Sequence, residues 1–276
     1  MKLGKRSQIL AAVALGMMSA TAVAGSGSSG KACEGFGPQT PRDIDSAAGE
    51  NKRIFSIAPA SSEMNLCNIH FHKNAEHKAT AFSIYAGDGD GHGYESGYKC
   101  NISQNLTKAE LKSTKKPICK GDHGELKPGD TIEVHWVHTS CDVTPGAGLG
   151  SCLSDGCANP NLRVETQVFT LVNDSNAMDF NDLDYDGNVI NGYHQPKALP
   201  TNTGKPVEFL GSTTGPKYSE EKCSPLQVTW SVRPQCAKVD INTVGDWCAN
   251  GNAFDEDHGH GVRKLVTNPK LLSTIK

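Results

Sequence analysis

Between residues 54 and 230 the apolar positions fall in short runs, many of them alternating with polar ones, divided by clusters of Gly, Pro, Asn and Asp. Runs at 81–85, 131–137, 164–172 and 226–232 are examples. A period of two is that of a strand with one face on a core, and the intervening residues are those that turns require. Only 107–111 and the last ten residues have helical character, and both stretches are short. No repeat at a fixed period is visible. The long loops at 86–97, 145–160 and 173–192 lie inside the patterned region, so no second domain boundary is expected. The pattern predicts a mainly β single domain.

The first 24 residues stand apart. Met-Lys-Leu-Gly-Lys-Arg is followed by an apolar run from Ile9 to Met18 and by Ala22-Val-Ala24. A basic start, an apolar run too short to span a bilayer and an A-x-A site predict a cleaved export signal over 1–24 and a mature domain over 25–276. No later run is long enough for a membrane anchor. Cleavage leaves 24 basic against 30 acidic residues, a net charge of −6. There is no basic patch with interleaved aromatics, which argues against nucleic acid as a partner. All ten cysteines lie in the mature part. Their spacing lacks close zinc-ribbon pairs, so disulfides in a periplasmic or secreted protein are expected. Sequons at Asn101, Asn105 and Asn173 matter only in a glycosylating host.

The candidate chemistry sits in Asn68-Ile-His-Phe-His-Lys-Asn-Ala-Glu-His77 and in Glu133-Val-His-Trp-Val-His138. On a strand, Asn68, His70 and His72 share one face and Ile69 and Phe71 the other. Likewise Glu133, His135 and Val137 oppose Val134, Trp136 and His138, so only one of His135 and His138 can meet the first pair. His135 is the better choice because Glu133, two residues before it, can accept an imidazole N–H, as Asn68 can for His70. One H-x-H on an exposed sheet would be merely solvated. Three histidines with two orienting groups predict a metal, and three imidazoles with an open fourth position suit catalytic Zn2+.

These segments resemble the zinc strands of the α-class carbonic anhydrases, H-x-H with an E-H pair and then E-x-H-x-V-H. Gln39-Thr-Pro-Arg-Asp-Ile-Asp45 is similar to that family's QSPVDID, and Gly211-Ser-Thr-Thr-Gly-Pro216 with Val228-Thr-Trp230 is similar to GSLTTPP and VTW. The likeness runs in patches from about 33 to 233. The stretch before His70 lacks the α-class shuttle histidine, and the 77–133 segment is far longer. In those lengths, and in Cys-Asn-Ile-His-Phe-His-Lys-Asn-Ala-Glu-His-Lys, the chain looks most like the delta-class carbonic anhydrases.

The resemblance implies a large, mostly antiparallel twisted sheet with few short helices, and zinc-dependent reversible hydration of CO2 to bicarbonate and a proton. It implies His70, His72 and His135 as ligands. It has Thr213 orient the nucleophile while donating its own proton to Glu76, and Val137, Thr214 and Trp230 line the substrate pocket. Assigning that role to Thr213 rather than Thr214 takes a one-residue gap against the family pattern, so the pair is firmer than either member. His77 and His138 match partner positions. His92, His123 or buffer would carry the proton out. The resemblance also implies a disulfide between Cys33 and Cys223. A homo-oligomer stays open.

Weaker signals are Asp182-x-Asp184-x-Asp186-Gly187 and Asp88-Gly-Asp-Gly-His-Gly93, incomplete calcium loops that Asx-rich turns explain as well. His258-Gly-His260 reads as a solvated loop. The enzymatic rival is a cupin, with Glu76 as fourth ligand beside His70, His72 and His135 to iron or manganese. It leaves the QTPRDID and STTGP segments unexplained. The third reading is an exported metal-binding protein without catalysis.

Overall fold

The computed structural model describes residues 33–213 and 222–276; the expected signal over 1–24 and Thr214 lie outside them. Six strands form the main sheet: β1 (Asn65–Lys73), β2 (Thr131–Thr139), β3 (Leu162–Val172), β4 (Val207–Ser212), β5 (Gln227–Val232) and β6 (Ala237–Asp240). Their order is β1-β2-β3-β5-β4, and β6 also pairs with β3. The β1/β2, β2/β3 and β4/β5 ladders are antiparallel, while β5 and β6 run parallel to successive halves of one edge of β3. The sheet is thus mainly antiparallel, with a parallel seam on its longest strand.

Alternation divides the sheet into two cores. Ile69, Phe71, Ile132, Val134, Trp136, Phe169 and Leu171 point to one side and pack with Ile241, Val244 and Trp247. Val137, Val164, Val168, Phe209, Val228, Trp230 and Val232 point to the other. Each such large apolar side chain contributes about 1.5–3 kcal/mol when fully buried. Both faces are covered, so several strands are buried throughout. In β2 every residue is buried.

The helix expectations need correction. Residues 107–111 form a single turn, closed by Leu111 N–H to Thr107 O at 3.1 Å. It carries a capping box, since Glu110 N–H donates to Thr107 Oγ1 (3.2 Å) and Thr107 N–H to Glu110 Oε2 (2.7 Å). The C-terminal stretch contributes only a 3-10 turn, Pro269–Leu271. The one α-helix among the described residues is α1, Ile241–Ala249. Asn, Thr, Gly, Asp and Cys make it a poor helix by propensity. What holds it is packing of Ile241, Val244 and Trp247, three residues apart, and Asp240, whose carboxylate caps Asn242 N–H at 3.1 Å. Gly245 lets Ile118 pack close, since a Cβ there would stand 2.6 Å from Ile118 Cδ1 and that side chain would have to shift. Of the expected strands, 81–85 shrinks to Ile84–Tyr85, paired with Tyr98–Lys99.

Five disulfides pair all ten cysteines: Cys33–Cys223, Cys67–Cys152, Cys100–Cys236, Cys119–Cys248 and Cys141–Cys157. The QTPRDID segment is a buried clamp. Gln39 exchanges hydrogen bonds with the Ser224 main chain, and the Arg42 guanidinium donates to the carbonyls of Ser46, Ala48 and Ser273.

Candidate metal centre

Register brings the histidines together. His70 lies directly opposite His135, and His72 opposite Glu133, in the β1/β2 ladder. The strand period does the rest, putting Asn68, His70 and His72 beside Glu133, His135 and Val137 on the face that carries Trp230. One nitrogen from each of His70, His72 and His135 lies within 4.8 Å of the others. His138 is on the opposite face, paired in register with Leu66, and its Nδ1 donates to Trp136 O at 3.0 Å.

Hydrogen bonds decide which nitrogens are free. His70 Nδ1 donates to Asn68 Oδ1 (2.6 Å), His72 Nδ1 to Gly261 O (3.0 Å) and His135 Nε2 to Glu133 Oε1 (2.8 Å). Each acceptor is an oxygen that cannot donate, so each imidazole carries its proton on the outward side. The lone pairs of His70 Nε2, His72 Nε2 and His135 Nδ1 are thereby turned inward. His135 Nδ1 and His70 Nε2 stand 3.2 Å apart. Two lone pairs at that distance repel unless a cation sits between them. Zinc–nitrogen bonds of about 2.0–2.1 Å put tetrahedral ligand atoms roughly 3.3–3.4 Å apart, close to the observed gap. Burial favours the neutral rings this needs: it holds His70 well below its ordinary pKa, with neighbouring histidines adding to the effect, and pushes His72 down to about 4. The donor set fits a zinc ion.

Glu133 is a hub. Besides His135, its carboxylate accepts from His77 Nδ1 (2.7 Å) and from His77 N–H (3.0 Å). Burial pushes its pKa up, but the electrostatic pull of the adjoining His77 ring and the hydrogen bonds from His135 and His77 outweigh that and hold it well below the carboxylate range. Glu76 does not join the triad. Its Oε1 accepts Arg263 N–H at 2.9 Å, with Arg263 Nε at 3.5 Å, and it approaches His72 only at the outward Nδ1, 3.9 Å away. Burial raises its pKa, while His72 and the permanently charged Arg263 lower it below the ordinary value. A cupin's fourth ligand would face the inward nitrogens, which this carboxylate does not.

Arg263 was not foreseen from sequence, since nothing local singles it out from Lys264 and the other basic residues of the C-terminal stretch. It joins Glu76 to Thr40 Oγ1 (3.0 Å) and Ser212 O (3.3 Å), and so ties the carboxylate to the end of β4. Thr213 follows at once, buried, with its N–H on Leu226 O (3.0 Å) and its carbonyl receiving Ser224 Oγ (3.1 Å). Trp230 donates Nε1–H to Ser212 O at 3.1 Å, and its ring lies 5.0 Å from that of His135 and 4.7 Å from that of His77. Gly211 makes this possible, since a Cβ there would stand 2.8 Å from Trp230 Cδ1 and 2.3 Å from Thr40 Cγ2. Val137 is buried in the same cluster as Trp230.

Of the other histidines, only His260 departs from expectation. His123 stacks on Tyr94 (3.8 Å) and pairs with Asp90 (3.0 Å), and His92 lies beside it at 5.9 Å. His260, expected in a solvated loop, is the additional histidine against the triad, its ring 5.8 Å from that of His70 and 6.0 Å from that of His72. Its Nε2 is bonded to Glu256 at 2.7 Å. In the calcium-like segments, Asp186 pairs with Lys197 (3.1 Å), and Asp90 accepts the main-chain N–H groups of His92 and Tyr94 as an Asx turn does.

Comparison with known proteins follows the same line. The sequence profile of the delta carbonic anhydrase family matches residues 61–243. No curated protein sequence matches the chain. Similar solved structures include a hyperthermostable carbonic anhydrase from an active hydrothermal vent chimney, at 15% identity over 83% of each chain with a TM-score of 0.30. The α-carbonic anhydrase of Thermovibrio ammonificans, solved with the inhibitor sulfanilamide, has 16% identity over 83% of this chain and 84% of that one, with a TM-score of 0.29. That of Photobacterium profundum has 18% identity over 83% and 85%, with a TM-score of 0.27. At such values these likenesses add no argument of their own. The family profile spans more than half of the chain and contains the whole triad, and the chain belongs to the delta carbonic anhydrase family.

Proposed function

We propose that this chain catalyses the reversible hydration of CO2 to bicarbonate and a proton, with zinc held by His70 Nε2, His72 Nε2 and His135 Nδ1. The observation that supports it is the inward convergence of three imidazole lone pairs, each fixed by an oxygen acceptor on its far side. Zinc in such a site supplies Lewis acidity that brings the pKa of a bound water to about 7, a value known from carbonic anhydrases themselves. The protein's own residues do the rest. Asn68, Glu133 and the Gly261 carbonyl hold the ligand tautomers. Val137 and Trp230 give CO2 an apolar wall and keep bulk water from it. Arg263 keeps Glu76 ionised, so Glu76 can accept the Thr213 hydroxyl proton. The Thr213 oxygen can then only accept from the reacting water, which turns that water's lone pair toward CO2. Thr214 completes the pocket in this reading.

Export belongs to the proposal. Ten cysteines in five bridges suit an oxidising compartment, with 1–24 as the signal. No helix among the described residues is long and apolar enough to cross a membrane. Zinc analysis paired with stopped-flow CO2 hydration on the mature protein tests the function. One zinc per chain and activity that a chelator removes and zinc restores are expected. A zinc-loaded protein without hydration activity would leave only the binding-protein reading.

A further inference from the structure

We infer that the Cys67–Cys152 disulfide and the Gly146 carbonyl are positioning groups for His70: they choose which way round the Asn68 amide sits, and so which His70 nitrogen stays free for metal. The inference rests on the reading of the triad as a zinc site.

The device begins with an irregularity in β1. Leu66 pairs with His138 and Asn68 with Val137, so Cys67 is an extra residue bulged between them. Strict alternation would send Cys67 into the core beside Ile69. The bulge delivers it instead to the core around Val137 and Trp230, bonded to Cys152. The loop carrying Cys152 is thus fastened to the triad's own strand, one residue from Asn68. Gly146 N–H and Ser151 Oγ both donate to Cys67 O, at 3.0 and 2.8 Å, and Thr139 Oγ1 donates to Cys152 O at 2.9 Å. So held, Gly146 O receives Asn68 Nδ2 at 3.1 Å.

That contact carries chemical information. The two ends of a carboxamide have nearly the same shape and differ only in that one accepts and the other donates. A carbonyl can only accept, so Gly146 O requires the NH2 end of Asn68. The oxygen end must then face His70 Nδ1, 2.6 Å away, which must donate. With the amide reversed, Nδ1 would have to accept, and the His70 proton would move to Nε2. There it would point at His135 Nδ1, 3.2 Å off, and a protonated nitrogen cannot ligate. Gly146 thereby selects the metal-competent tautomer at one remove, and the disulfide keeps Gly146 where it can do so.

The test compares zinc affinity, by competition with a chromophoric chelator, and the His70 tautomer in the metal-free protein, by imidazole 15N NMR. Cys67→Ser/Cys152→Ser should weaken zinc binding about 10–100-fold, the range known for lost ligand-orienting partners, carbonic anhydrase among them. It should also show a mixture of His70 tautomers where the parent shows Nδ1–H alone. Cys119→Ser/Cys248→Ser, which opens a bridge on the opposite face, should keep the parent's affinity and tautomer. The deciding arm is Asn68→Asp added to Cys67→Ser/Cys152→Ser. A carboxylate accepts through either oxygen, needs no choice of orientation, and should restore both readouts. Equal affinity with and without the disulfide, equal loss in the opposite-face control, or no recovery with Asn68→Asp each overturns the inference. A parent protein that binds no zinc at all would instead overturn the function proposal beneath it.

Discussion

Replacing Glu133 by Gln changes one atom and sets three hydrogen bonds in conflict. Three N–H groups converge on that carboxylate: His135 Nε2, His77 Nδ1 and His77 main-chain N, at 2.8, 2.7 and 3.0 Å. The amide offers one oxygen. If that oxygen serves the two rings, its NH2 faces the His77 N–H, and buried donors stand against each other at a cost of about 1–3 kcal/mol. If it serves the His77 N–H, the NH2 faces both rings, and His135 must carry its proton on Nδ1, inside the triad. The first outcome lowers stability and the second blocks a ligand. A chain of this size loses about 2–4 °C in Tm per kcal/mol. Glu133→Gln should therefore lower the Tm of the metal-free protein by roughly 2–12 °C, or weaken zinc binding about 10–100-fold, or divide its effect between the two. Differential scanning calorimetry and chelator competition on the same samples measure both. A variant with parental Tm and parental zinc affinity would refute the assignment of Glu133 as the group that fixes His135.

His70→Ala, His72→Ala and His135→Ala should each lose zinc and CO2 hydration together, whereas His138→Ala should keep its zinc by metal analysis because its ring lies on the other face of the sheet. Glu76→Gln should keep zinc while kcat falls about 10²–10³, the usual cost of one oriented hydrogen bond to the reacting group; metal loss in this variant would revive a carboxylate ligand. Away from the triad, the Lys238 ammonium and the Thr107 N–H and hydroxyl hold Glu110 down to about 2 from 4.5. Its folded pKa is depressed, so its contribution is present above pH 4.5 and fades as pH falls toward 2. Glu110→Gln should melt below the parent at neutral pH, with the gap closing across that interval in Tm-against-pH curves; a constant gap would show that the ion pair does not matter.

What was legible in the sequence was whatever a period of two could carry. His70, His72 and His135 announced themselves because alternation and an adjacent Asn or Glu are local features, and Trp136 and Val134 fell on the opposite face for the same reason. Three things were hidden. Gly261 orients His72 through its main-chain carbonyl, which any residue type would supply. Arg263 reaches Glu76 across 187 residues, and no pattern flags so long a pairing. α1 escaped because its residues favour turns, and only its three buried side chains and the Asp240 cap make it a helix. The bulge at Cys67 was invisible too: nothing local marks it, and it shows only in the register against β2.

The bond from His72 Nδ1 to Gly261 O spans 189 residues, and it bears on the timetable of the protein's life. On the ribosome His135 follows His70 by 65 residues, yet the acceptor that aims His72 is made 189 residues after it. Until that stretch folds back along β1, with His260 N–H on Phe71 O and Lys73 N–H on His260 O, His72 lacks its fixed orientation. The triad therefore cannot be fully aimed until the segment around Gly261 has been made and has folded back, so a chain truncated before that segment should hold the metal less well than one that contains it.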